Sequence, residues 1–168
     1  MMTGLFNDRE STEGAYRSLR DRGYSDDEIN VIMSDETRNK YYGDNKGESE
    51  IGTKAAEGTG IGGAIGGTLG ALIGGIAALG TNVIMPGLGL IVWGPIAAAL
   101  AGAGAGGLTG GLIGALVGWG IPEERARLYE EGVKNGGTVL GVRPRSDEDA
   151  NYFERDWTTN YRGQHVYR

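Results

Sequence analysis

The chain contains no cysteine, which excludes disulfides, thiolate metal sites and a cysteine nucleophile and fits a reducing compartment. It also lacks a basic excess, because 16 Lys/Arg against 22 Asp/Glu leave a net charge of −6. Nucleic acid binding needs clustered Lys/Arg, and no such cluster occurs, so we expect no nucleic acid partner. Residues 1–10 are polar and mixed in charge, which does not fit a secretory signal and predicts a cytoplasmic location.

The most informative absence is that of charge between residues 58 and 122. Every Lys, Arg, Asp, Glu and His lies outside this run. Residues four apart share one face of a helix, and a row of glycines on that face lets a second helix approach closely. We therefore predict that two four-residue glycine series are helix-packing and oligomer contacts. They are Gly58, Gly62, Gly66, Gly70 and Gly74, followed by Gly102, Gly106, Gly110, Gly114 and Gly118.

The spacing predicts a helical hairpin over residues 58–121, with a bend at 81–94 where prolines and further glycines would interrupt a helix. Each arm has about 25 residues and would be roughly 37 Å long, against about 30 Å for the hydrocarbon core of a bilayer. A helical glycine costs about 1 kcal/mol relative to alanine, so such arms need close packing or a bilayer to be stable. A flexible linker is the alternative, but such linkers use serine rather than Ile and Leu in register.

Membrane insertion and burial in a protein core both remain open. Trp93 and Trp119 lie near the arm ends, where aromatic rings favour a membrane interface. Against insertion, the uncharged bend would emerge on the far side of the bilayer without a charged side chain to solvate it. Both possibilities predict self-association.

The charged flanks predict a small α+β domain. Residues 3–6, 29–33 and 138–142 have the composition of strands, and residues 8–22, 122–135 and 147–157 that of helices. This order predicts a ferredoxin-like (split βαβ) domain interrupted by a long glycine-rich α-helical hairpin. Its fourth strand is missing, and residues 88–93 are one candidate for it.

In this interpretation, residues 1–57 form the first half of the domain and a polar linker. Residues 122–157 form the second half with a short helix, and residues 158–168 form a flexible tail.

No arrangement of residues predicts catalysis. The sequence offers no nucleophile paired with a base and no metal-ligand cluster. The acid runs at 26–28 and 147–149 are typical of a solvated turn and a first helical turn. Two G-x-G-x-x-G matches, at 58–63 and 102–107, have no preceding strand and fit chance in a glycine-rich run. We expect neither an enzyme nor a cofactor or metal.

Several short motifs resemble the bacterial general stress proteins, a family of heat-induced and low-temperature-induced proteins. The resemblance covers roughly residues 3–145. It implies an α+β domain with a glycine-zipper hairpin and a role in stress response, with no catalytic residues, and the tail after Asp156 departs from it. The motifs are GLFNDRE at 4–10, GYSDDEINV at 23–31, PGLG at 86–89, and GIPEE at 120–124 with YEEG at 129–132.

We therefore expect a non-enzymatic stress-response protein that self-assembles through its hairpins at or in the cytoplasmic membrane. The alternative is a soluble structural homo-oligomer, filament or shell with the hairpins buried in its core. A third hypothesis is a ligand-sensing module, because small domains of this kind bind metabolites at interfaces. The expected partners are further copies of the chain and a lipid bilayer, with no nucleic acid and no small-molecule substrate identified.

Overall fold

The computed structural model describes residues 1–42, 82–85, 89–97 and 111–168. Helices and strands are mixed along these residues, which confirms an α+β fold. The strands are β1 (Met2–Phe6), β2 (Ile29–Ser34), β3 (Asn82–Met85), β4 (Leu90–Trp93), β5 (Thr138–Val142) and β6 (Gln164–Tyr167). The helices are α1 (Arg9–Asp21), α2 (Asp35–Tyr42), α3 (Gly111–Gly118), α4 (Glu123–Lys134) and α5 (Asp147–Thr159).

The strands form one six-stranded sheet in the order β3-β4-β2-β5-β1-β6. Every neighbouring pair is antiparallel. Because β1 and β2 both pair with β5, they run in the same direction with β5 between them, and α1 connects them. β4 lies on the other side of β2, and β3 and β6 are the two edges.

Helices cover both faces of the sheet. Side chains alternate along each strand, so Ile91 and Trp93 of β4 pack on the face that carries α1 and α5. Leu90 and Val92 pack on the opposite face, beneath α3 and α4. The predicted ferredoxin-like domain would have its helices on one face. The arrangement here differs because α3, from the uncharged run, covers the second face together with α4.

The segment 81–94, expected to be the bend of the hairpin, contains β3 and β4. All four residues of β4 are buried and pair in regular register with β2. A short uncharged run suits a strand buried on both faces, as in the alternative in which residues 88–93 supply the fourth strand. The arm at 58–80 and residues 98–110 of the second arm lie outside the described residues.

Two further elements differ from expectation. Residues 35–42, assigned to the polar linker, form α2, and Ser34 caps it by accepting a hydrogen bond from the Thr37 N–H at 3.1 Å. Residues 164–167, assigned to the flexible tail, form β6 and pair with β1. Both elements consist mainly of polar residues, so they lack the hydrophobic periodicity from which helices and strands are predicted.

Candidate functional site

The candidate site is the outward face of α3, where the described part of the glycine series lies. Leu112, Ala115 and Leu116 are buried in the cluster beneath the helix. α3 packs beside α4, which itself lies over β2 and β5. α3 shares this cluster with Leu90 and Val92 of β4 and also with residues of β1, β2 and β5, so it lies on the face of the sheet that carries α4.

A Schellman motif ends α3 and fixes its direction. The Ile121 N–H donates to the Leu116 carbonyl at 3.0 Å, and the Gly120 N–H donates to the Val117 carbonyl at 2.9 Å. Gly120 has a φ of +86°, which a residue with a Cβ adopts only at a cost. Pro122 then caps α4, so the two helices are joined by a tight and specified turn.

Gly114 and Gly118 lie on the exposed side of α3, together with Val117, which is 42% exposed. A Cβ added at either glycine would meet no atom of the described residues within 4 Å. The structure therefore brings these two predicted positions together on a face of α3 that no described residue covers. The other eight predicted glycines lie outside the described residues: Gly58, Gly62, Gly66, Gly70, Gly74, Gly102, Gly106 and Gly110.

Glycines in the core of the domain behave differently. A Cβ at Gly132 of α4 would overlap the side chain of Leu5 on β1, and one at Gly137 would lie 2.9 Å from Leu5 Cδ1. Those glycines are explained by close packing of α4 on the sheet. No contact of this kind within the described residues explains Gly114 and Gly118.

The acidic residues considered at 26–28 and 147–149 take part in internal hydrogen bonds and ion pairs. Tyr16 donates a hydrogen bond to Asp26, and Arg20 Nη1 lies 3.2 Å from the same carboxylate. Asp149 accepts hydrogen bonds from Tyr24 at 2.7 Å and from Arg22. These bonds lower the pKa of Asp149, the hydrogen bond from Tyr24 having the largest effect.

Glu28 is held by a hydrogen bond from Arg145 Nη2 at 2.6 Å and by the N–H and hydroxyl of Ser25. These interactions, the one with Arg145 foremost, lower its pKa to about 2. The network ties the start of β2 to the residues that precede α5. Among the described residues no group of three or more His, Cys, Asp or Glu side chains is placed to hold a metal ion.

Sequence reasoning missed a second group of polar residues, between α4 and the β6 edge. The Tyr129 hydroxyl donates to the His165 carbonyl at 2.6 Å and lies 2.8 Å from Thr3 Oγ1. Burial raises the pKa of Tyr129 to about 12. The sequence predicts the helix that contains Tyr129, but no local pattern indicates which residues its hydroxyl contacts.

Comparison of the chain with family models, with curated proteins and with solved structures found no match. Within the residues that the structure describes, no helix has both the length and the apolar character needed to cross a membrane.

Proposed function

We propose that this chain is a non-enzymatic assembly protein whose copies associate through the glycine faces of their helices. The observation that carries the proposal is the open face of α3, with Gly114 and Gly118 exposed and nothing of the described chain against them. A role in cytoplasmic stress response is part of the proposal and rests on the sequence resemblance to general stress proteins.

The energetic argument compares glycine with alanine. Each helical glycine costs about 1 kcal/mol relative to alanine. At Gly132 the cost is offset because only a hydrogen atom fits against Leu5, whereas at Gly114 a methyl group would fit without contact. An approaching helix would offset the cost at Gly114, because a glycine face allows backbone-to-backbone contact.

The position of β4 favours association through protein contacts over a hairpin that crosses a bilayer. A bilayer-crossing hairpin would carry its bend on the far side of the membrane from the charged domain. Leu90–Trp93 instead pairs with β2, so the uncharged run returns to the sheet between its two glycine series. We therefore put the homo-oligomer first and membrane association second, and fractionation of a lysate into soluble and membrane pools distinguishes them.

The test is the oligomeric state of the full chain carrying Gly114→Leu or Gly118→Leu, measured by light scattering during size exclusion. A leucine would block close approach; forcing bulk into a packed contact costs about 1–3 kcal/mol. Since 1.4 kcal/mol is a factor of ten, we expect association to weaken about tenfold. The control is Glu154→Leu, which adds an exposed leucine to α5 on the opposite face of the sheet. Unchanged assembly in both glycine variants would refute the proposal.

A further inference from the structure

The two edges of the sheet are built differently. β6 pairs with β1 in a shifted register, and His165 within it has a φ of +51°. β3 pairs with β4 in unbroken register over all four residues. β6 therefore has the irregular backbone that protects a sheet edge from pairing, and β3 does not.

β3 also lacks the chemical devices that protect an edge. Its sequence, Asn-Val-Ile-Met, has no charge and no proline and is favourable for strand formation. In an antiparallel strand alternate residues direct their N–H and C=O groups to opposite sides. Half of the backbone groups of β3 therefore point away from β4, on a side where no described strand lies.

We propose that β3 is the site at which a second copy of this chain joins the sheet, with the two β3 strands antiparallel about a two-fold axis. The absence of charge favours a second copy, because two such strands approach without repulsion while an acidic or basic peptide gains no ion pair. The irregular β6 edge is a poor partner for β3, so pairing is β3 to β3 and closes at two chains.

This proposal rests on the proposed self-association but uses a different surface from the glycine face. α3 and α4 lie on one face of the sheet, and a two-fold axis perpendicular to the sheet keeps that face on the same side in both copies. A pair formed at β3 would bring the α3 helices of two copies to the same side of the assembly. The backbone bonds at β3 set the geometry of the pair, and the glycine faces then add contacts to it.

The two-fold geometry makes a sharp test possible. A two-fold axis perpendicular to an antiparallel pair passes midway between directly opposed residues, so one residue of β3 faces its own copy. Opposed Cα atoms in such pairs are about 4.5–5.5 Å apart, within the range of about 4.4–6.8 Å that a disulfide spans. Because the chain has no cysteine, a single introduced cysteine reports only links between copies.

The experiment oxidises four full-length single-cysteine variants, Asn82→Cys, Val83→Cys, Ile84→Cys and Met85→Cys, and resolves the products on a denaturing gel. The control is Gln164→Cys on β6. We expect disulfide-linked dimer to peak at one position of β3 and to be several-fold weaker at Gln164→Cys. Equal linking on both edges, or none at β3, would overturn the proposal.

A second variant pair tests the edge without a disulfide. Ile84→Lys places like charges near each other across the axis and should weaken dimerisation about tenfold, whereas Gln164→Lys should not change it. If Gly114→Leu lost assembly and no cysteine of β3 formed a disulfide, the glycine face would remain the assembly contact and the β3 pair would be rejected. If the cysteines of β3 formed disulfides and Gly114→Leu assembled as the wild-type chain does, the β3 pair would be supported and the glycine face rejected as the assembly contact.

Discussion

The side-chain oxygen of Asn30 accepts a hydrogen bond from the backbone N–H of Ile96 at 2.8 Å. Asn30 lies in β2 and is buried, and its amide nitrogen donates to the Gly141 carbonyl of β5 at 3.2 Å. Gly94, with a φ of +92°, packs so closely on Ile29 and Asn30 that a Cβ there would overlap the Ile29 carbonyl. One buried amide thus fixes where the chain leaves β4 toward the second glycine series.

We predict that Asn30→Ala lowers the free energy of unfolding by about 1–3 kcal/mol, because it leaves the buried Ile96 N–H without a partner. Chemical denaturation followed by circular dichroism measures the change. The control is Asn39→Ala on α2, where the asparagine is exposed. A loss no larger than that of the control would show that this hydrogen bond does not stabilise the fold.

Elements with strong local signals were predictable. The strand at Thr138–Val142 has the predicted bounds, since it lies between a glycine pair and a proline. α4 begins after Pro122 with acids in its first turn, within the helix predicted for residues 122–135, and the buried residues Ala126, Tyr129 and Val133 recur at helical spacing. In each case the residues that determine where the element begins and ends lie within it or next to it in the sequence.

Elements held by distant partners were not predictable in the same way. β3 and β4 have the glycines and proline of a bend around them. The strand character of β4 depends on pairing with β2, about 60 residues earlier, and that of β3 depends on pairing with β4. The glycine series that contains Gly114 is likewise visible in the sequence, but the sequence does not indicate that this series faces away from the sheet. That orientation follows from the burial of Leu112, Ala115 and Leu116 in the cluster between the helices and the sheet.

Tyr129→Phe should loosen the β6 edge. The substitution keeps the ring and removes the hydroxyl that donates to His165 and contacts Thr3 Oγ1. We expect a loss of about 1–3 kcal/mol in unfolding free energy and faster hydrogen exchange at the amides of β6.

The matched control is Tyr161→Phe, whose hydroxyl has no hydrogen bond to a described residue although its ring packs on Gly14. Similar stability losses in the two variants would contradict a specific role of the Tyr129 hydroxyl.

Acid should weaken the connection between Glu28 and Arg145. The pKa of Glu28 is lowered from 4.5 to about 2 in the folded chain, so between these values the unfolded chain binds a proton that the folded chain does not. The stabilisation is therefore complete above about pH 4.5 and is lost as the pH falls toward 2.

Denaturation at several pH values from 5 to 2 measures this effect as the difference between the wild-type chain and Glu28→Gln. We expect that difference to shrink as the pH falls. Glu154→Gln, at an exposed glutamate without an ion pair to a described residue, should give a difference that changes far less. A wild-type advantage that stays constant over the whole range would be inconsistent with the lowered pKa.

Alanine should have opposite effects on stability at two helical glycines. At Gly132 the added methyl group overlaps Leu5, so Gly132→Ala should lose about 1–3 kcal/mol of unfolding free energy despite the better helix propensity. At Gly114 nothing of the described chain opposes the methyl group, so Gly114→Ala should raise the free energy of unfolding by up to about 1 kcal/mol in the dilute, dissociated chain.

The same variant, Gly114→Ala, should weaken self-association, because the methyl group separates the backbones of the two packed helices. Gain of stability together with loss of association is the signature of a glycine kept for a partner. If Gly114→Ala destabilised the dissociated chain, the glycine would instead serve a contact within one copy.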